Sequence, residues 1–158
     1  MSNPNSFPEA GHNHGACVEL SMEAAEAICR SRSGRLTDLR RRVLEIVLDS
    51  HRPIGAYAIL EALQEDGRRP APPTVYRSLE FLLDMGLVHR IASLNAFVGC
   101  TQPGHRAASQ FLICEECGDA AELNDPAVED ALLKSAESLG FRPQGHTVEI
   151  RGVCPNCG

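Results

Sequence analysis

Two short loops in this 158-residue chain have the residue types and spacing to do chemistry: "ICEECG", with Cys114 and Cys117, and "VCPNCG", with Cys154 and Cys157. A C-x-x-C loop presents two sulfurs on one knuckle, which suits a redox pair or half of a tetrahedral zinc site. A thioredoxin-like motif normally uses one pair, at a helix start after a strand, so two pairs favour metal. Four thiolates complete the coordination shell of a zinc ion and leave no open position for catalysis. The expected role is therefore structural, a clip joining the strand at Cys114 to the final knuckle.

A second, looser set is His89, Cys100, His105 and Glu122. If "LVHRI" and "AFVGC" form a hairpin, antiparallel pairing places residue 89 opposite 99 or, with a two-residue loop, opposite 100. Either register brings His89 beside Cys100. Together the four residues offer N, S, N and O donors, all of which zinc accepts. Spacing alone leaves the bland reading open, because a strand histidine is often structural and a buried cysteine often packs as a small hydrophobe. A hydrolase would need His89, His105 and Glu122 around an open position, which Cys100 would fill, so no enzyme is expected. His12, His14 and Cys17 in "HNHGAC" are also ligand types, but their polar surroundings predict a flexible tail over residues 1–20.

These residues need elements to hold them. Four helical patterns come first: "SMEAAEAICRSRSG" from an N-cap at Ser21, "TDLRRRVLEIVLDS" from Thr37, "GAYAILEALQEDG", and "PPTVYRSLEFLLDMG" behind a proline pair. The last should bury Val75, Leu79 and Leu82 and turn Tyr76 and Arg77 outward. Helices followed by a hairpin give the order of a winged helix-turn-helix, here residues 21–99, with the fourth helix reading DNA and the hairpin as wing. "CTQPGHRAAS" (100–109) reads as a hinge. Residues 110–158 then predict strands at "QFLIC", near "AAEL" and over about 146–153, with a helix in "DPAVEDALLKSAESLG". The fold class expected is α+β. So small a C-terminal unit needs a metal and a partner subunit to stabilise it.

Charge is uneven. Residues 1–106 carry twelve basic and twelve acidic groups, and residues 107–158 three basic and nine acidic, so the net charge of -6 lies in the C-terminal third. "RSRSGRLTDLRRR" sets six arginines against Asp38; it could bind phosphates or form a solvated helix face. The absence of a signal-like or membrane-length apolar run predicts a cytoplasmic protein with reduced thiols.

With "RLT", "PPTVYRSLEFLLDMGLVHRI", "FLICEECG" and "CPNC" in view, the chain resembles the ferric-uptake-regulator family, most closely its zinc-uptake-regulator branch, from about Ser21 to Gly158. The resemblance implies a winged helix joined to a dimerisation domain, and a homodimer that binds palindromic double-stranded operators when metal-loaded. It implies two zinc ions per chain: a structural one at Cys114, Cys117, Cys154 and Cys157, and a regulatory one at His89, Cys100, His105 and Glu122. It also implies a repressor of zinc-uptake genes. An Fe(II)- or peroxide-responsive regulator is the alternative within the family, and a zinc-ribbon docking module the alternative outside it. The stretch before Cys114 lacks the histidines common in iron- and peroxide-responsive members, so a third site of that type is not expected. DNA contacts are expected from Thr74, Tyr76 and Arg77 at the recognition helix, from Tyr57, and from Arg40 and Arg41 as phosphate ligands.

Overall fold

The computed structural model describes residues 7–9, 11–104 and 109–158. Helix α1 (His14–Ser31) begins well before the expected Ser21, because Asn13 caps it by accepting a hydrogen bond from the Ala16 amide. The tail expected to run to residue 20 is therefore helical from His14. Its inward stripe of His14, Val18, Met22, Ala25 and Cys29 has helical spacing, but only the last two are fully buried. That is why composition read its first half as polar tail.

The next three helices follow their sequence patterns. α2 (Asp38–Leu48) is capped by Thr37 and buries Val43, Leu44, Ile46 and Val47. α3 (Ala56–Glu65) buries Ile59 and Leu63. α4 (Pro72–Asp84) starts on two prolines, whose missing amides cost nothing in a first turn, and buries Val75, Ser78, Leu79 and Leu82. These stripes form one core with Leu87, Val88 and Phe97.

Strands β1 (Val88–Ile91) and β2 (Ala96–Gly99) form the wing. The register differs from both expectations: His89 pairs with Val98, and Val88 with Gly99. The loop is longer than assumed, a 3-10 turn at Ala92–Leu94 closed by Asn95 in the left-handed region (φ 47), which asparagine tolerates better than most residues. Val98 and Cys100 are two residues apart and share a face, so His89 and Cys100 still meet, as diagonal rather than direct neighbours.

Beyond the hinge, β3 (Ser109–Cys114) is the centre of a sheet ordered β4-β3-β5. β4 (Ala120–Glu122) runs antiparallel to it, and β5 (Thr147–Gly152) runs parallel after a crossover through α5 (Pro126–Ser138). The chain is thus α+β, a winged-helix head on a small mixed-sheet base. Ile91 and Val98 of the wing pack with Phe111, Ile113 and Ala120 of the base in one apolar cluster. The seam is reinforced by the Ala120 amide donating to the His51 carbonyl (3.0 Å) and by the Arg52–Asp119 ion pair (3.3 Å).

Candidate metal centres and nucleic-acid face

The parallel pairing of β3 with β5 explains how two distant C-x-x-C loops meet. Cys114 ends β3 opposite Gly152 near the end of β5, so both knuckles emerge at the same edge of adjacent strands. Each is closed by the same backbone bonds: Gly118 N–H to Cys114 O and Gly158 N–H to Cys154 O, both 3.1 Å. The four sulfurs lie within 4.8 Å of one another, and Cys117 Sγ and Cys154 Sγ are 3.8 Å apart. Four sulfurs tetrahedrally disposed at about 2.3 Å from zinc stand about 3.8 Å from each other. The four sulfurs are therefore grouped closely enough to share one zinc ion, and the Cys117–Cys154 pair already has the spacing of two zinc ligands. All four thiols are free of disulfides. Amide donors, those of Cys117 and Cys154 foremost, lower the Cys114 thiol to about 6. Its neighbours, Cys154 first, push Cys157 up to about 12. Like charges so close resist a second ionisation, and a dication removes that resistance.

The second set converges at the seam. His89 on β1, Cys100 just after β2 and Glu122 ending β4 are all buried, with ligand atoms within 4.8 Å of one another. Glu122 Oε2 is the focus: His89 Nε2 lies 3.5 Å away and Cys100 Sγ 3.9 Å. The Thr101 amide (3.3 Å) and hydroxyl (3.0 Å) both donate to it. Sequence reasoning missed Thr101, and nothing about a threonine after a cysteine would have marked it. Burial works hardest against charge at both ends of the pair. Even so, hydrogen bonds to Cys100 and Glu122 raise His89 to about 9, and bonding to His89 and Thr101 lowers Glu122 to about 2. A buried imidazole nitrogen, thiol sulfur and carboxylate oxygen suit zinc, whose softer preferences the sulfur satisfies. His105 lies outside the described residues.

On the head, the starts of α3 and α4 adjoin across a small cleft lined by Ala56, Tyr57, Leu60, Pro72, Val75 and Tyr76. Tyr57 is 74% and Tyr76 44% exposed, and their rings have no core to fill. Arg77 is exposed beside them, its Nε donating to Pro73 O at 3.4 Å, while Thr74 sits half-buried in the first turn. Arg40 and Arg41 do not join this face as free cations. Arg40 stacks on Phe81, 3.7 Å from the ring centroid, and donates to Arg35 O (2.7 Å). Arg41 pairs with Glu26. Arg42 is held by Asp66 and Glu45, and Arg32 donates to the carbonyls of Met85 and Gly104. Arg32, Arg40, Arg41 and Arg42 thus brace neighbouring segments of the head.

The family model described as "Ferric uptake regulator family" matches residues 31–151. The chain belongs to this family. Among its ferric-uptake-regulator relatives, the zinc uptake regulation protein of Escherichia coli (strain K12) is 39% identical over 139 residues, covering 86% of this chain and 80% of that protein. A zinc uptake regulator complexed with zinc and DNA superposes with a TM-score of 0.80 at 36% identity, over 88% of this chain and 93% of that one. Two crystal structures of XcZur separate sharply despite similar identity. The holo form gives a TM-score of 0.79 at 42% identity, over 85% of this chain and 94% of that one. The apo form gives 0.54 at 40%, over 90% and 98%. Backbone arrangement, not sequence, distinguishes the two matches.

Proposed function

We propose that this chain is a zinc-responsive transcriptional repressor: a cytoplasmic homodimer that binds palindromic operator DNA when zinc-loaded and holds zinc-uptake genes off. It acts as a regulator and not as an enzyme. Two zinc ions per chain are assigned, the structural one to Cys114, Cys117, Cys154 and Cys157, the regulatory one to His89, Cys100 and Glu122 with His105 as fourth ligand. The single observation that carries the reading is the placement of that second set. His89 belongs to the wing, Cys100 to the hinge's first residue directly after it, and Glu122 to the base.

Zinc, when bound there, supplies directional bonds joining groups that otherwise meet only through hydrogen bonds and apolar contact. The chain's own residues do the rest. Glu122 reaches across to the Thr101 amide and hydroxyl and so fixes the hinge's first residues against the base. Phe111 backs the His89 ring edge-on at 5.5 Å and holds its orientation. A fixed head-to-base angle lets two recognition helices of a dimer enter successive major grooves, so the metal centre need not touch DNA. The holo-like match is consistent with this arrangement being the DNA-competent one. Dimerisation is supported by the base itself: no residue of α5 is buried, and Leu139, Phe141, Ile150 and Val153 stand exposed on it. Among the described residues no helix is long and apolar enough to cross a membrane.

The test is fluorescence anisotropy on an operator duplex selected from a random-sequence pool, titrated against buffered free zinc alongside metal analysis. Operator affinity should rise as the second equivalent per chain fills, with the dimer intact throughout. Affinity indifferent to zinc would sink the reading and favour a docking module. Within the same assay Arg77→Ala should lose about 1–3 kcal/mol on the operator, with relaxed preference at the base it reads. A uniform loss on all duplexes would instead make Arg77 a phosphate contact.

A further inference from the structure

The helix start that the sequence reading placed in a tail brings three histidines together. His12 and His14 flank the cap residue Asn13, and His51 follows the end of α2. One ring nitrogen of each lies within 4.8 Å of the other two. The rings meet edge-on or tilted, with centroids 5.5 Å (12–14), 5.0 Å (12–51) and 4.9 Å (14–51) apart. The three imidazoles are therefore grouped without stacking.

We propose that His12, His14 and His51 form a third metal site, a three-histidine centre for a divalent late transition metal such as zinc, distinct from both centres above. Three further observations support it. His12 Nδ1 lies 3.1 Å from the Glu9 carbonyl, which accepts its N–H and leaves Nε2 as the ligand atom; this is how protein-bound metals usually have their histidines oriented. That Nε2 is 3.0 Å from His51 Nε2, close to the roughly 3.3 Å expected between two nitrogens of a tetrahedral zinc site. Finally, both ring nitrogens of His14 are buried without a hydrogen-bond partner among the described residues. An unsatisfied buried nitrogen is costly, and a metal bond removes that cost. His51 is held towards its neutral, ligating form by burial and then by its two histidine neighbours.

The site has a route in and a consequence. A cavity of about 330 Å³ opens beside it, lined by His14, Cys17, His51, Gly99, Cys100 and Thr101 among others. With three protein ligands a fourth position would be left to water, so the metal is expected to exchange more readily than one held by four thiolates. The bound segment also spans the two lobes: Pro8 O accepts from Asn156 Nδ2 (3.0 Å) in the last cysteine knuckle, while His51 O accepts from Ala120 N–H. Metal at this site straps the N-terminal segment across the seam.

The experiment uses the untagged full-length dimer and the variants His12→Gln, His14→Gln and His51→Gln. Zinc per chain is measured by metal analysis after equilibrium dialysis at buffered free zinc. Each variant should hold one equivalent fewer than the parent, a difference that does not depend on how many ions the other centres bind. In a parallel Co(II) titration, the equivalent missing from the variants should add d–d absorption without thiolate-to-metal charge transfer, because no sulfur ligates it. Equal zinc counts in parent and variants would overturn the proposal. So would loss of more than one equivalent, or a missing equivalent that carries a thiolate band, since the histidines would then only support a cysteine centre.

Discussion

Cys154→Ser is expected to unfold the base and dissociate the dimer while leaving the head folded. The reasoning is energetic. The base is about fifty residues long, too short to bury a self-sufficient core. Its apolar cluster borrows Ile91 and Val98 from the wing, and α5 contributes no buried residue at all. What remains is the sulfur cluster, where Cys154 is 2% exposed and its amide donates to Cys114 Sγ at 3.4 Å. Structural zinc sites contribute on the order of 10–16 kcal/mol of apparent binding free energy, which is folding free energy where no preformed site exists in the unfolded chain. Serine is a poor zinc ligand, so most of this is lost. The head keeps its own core of Val43, Leu44, Ile59, Leu79 and Leu82 and should still melt cooperatively. Light scattering should report a monomer, limited proteolysis should cut beyond about residue 109, and helical circular dichroism should survive. A compact dimeric Cys154→Ser chain would show that the four thiols are not what holds the base.

The same contrast between local and distant determinants explains what the sequence could reveal. α2 was legible because Leu39, Val43, Ile46 and Val47 carry its full helical period and Thr37 its cap, both local signals. α1 was half hidden, since its first turns bury His14 and Val18 only partly and look polar. The wing's existence was legible but not its register, which depends on Asn95 adopting a left-handed conformation in a four-residue loop. Each cysteine knuckle was readable alone. That they meet depends on β5 crossing over to lie parallel to β3, a tertiary fact. The partners of the arginine cluster's guanidinium groups, Glu26, Asp66 and Phe81, come from other parts of the head and were not legible in the cluster itself. Likewise, His51 lies thirty-nine positions from His12, and no periodicity links them.

Cys100→Ser should have the opposite phenotype to Cys154→Ser: an intact, folded dimer that no longer answers to zinc. Serine nearly matches cysteine in shape, and its slightly smaller hydroxyl fits the space of a sulfur that already stands 3.9 Å from Glu122 Oε2. Packing in the seam is therefore kept, and the stability change should stay within about 1 kcal/mol, the size of one net hydrogen bond. The ligand set changes far more, because a neutral hydroxyl replaces a thiolate. Driving a two-state joint from about 1:99 to 99:1 requires roughly 5.5 kcal/mol of differential affinity, and a centre short of its sulfur cannot supply it. At saturating zinc the variant should bind operator at least about 100-fold more weakly than the parent and hold one zinc fewer per chain. Thr101→Val provides the graded companion. It removes one donor to Glu122 but no ligand, and orienting partners of this kind are typically worth about 10–100-fold in metal affinity. Its zinc titration should therefore shift to higher free zinc yet reach the parent's operator affinity at saturation. If Cys100→Ser instead bound operator tightly at all zinc levels, the seam would be closed by Ile91, Val98 and Phe111 alone, and the metal would be a passenger.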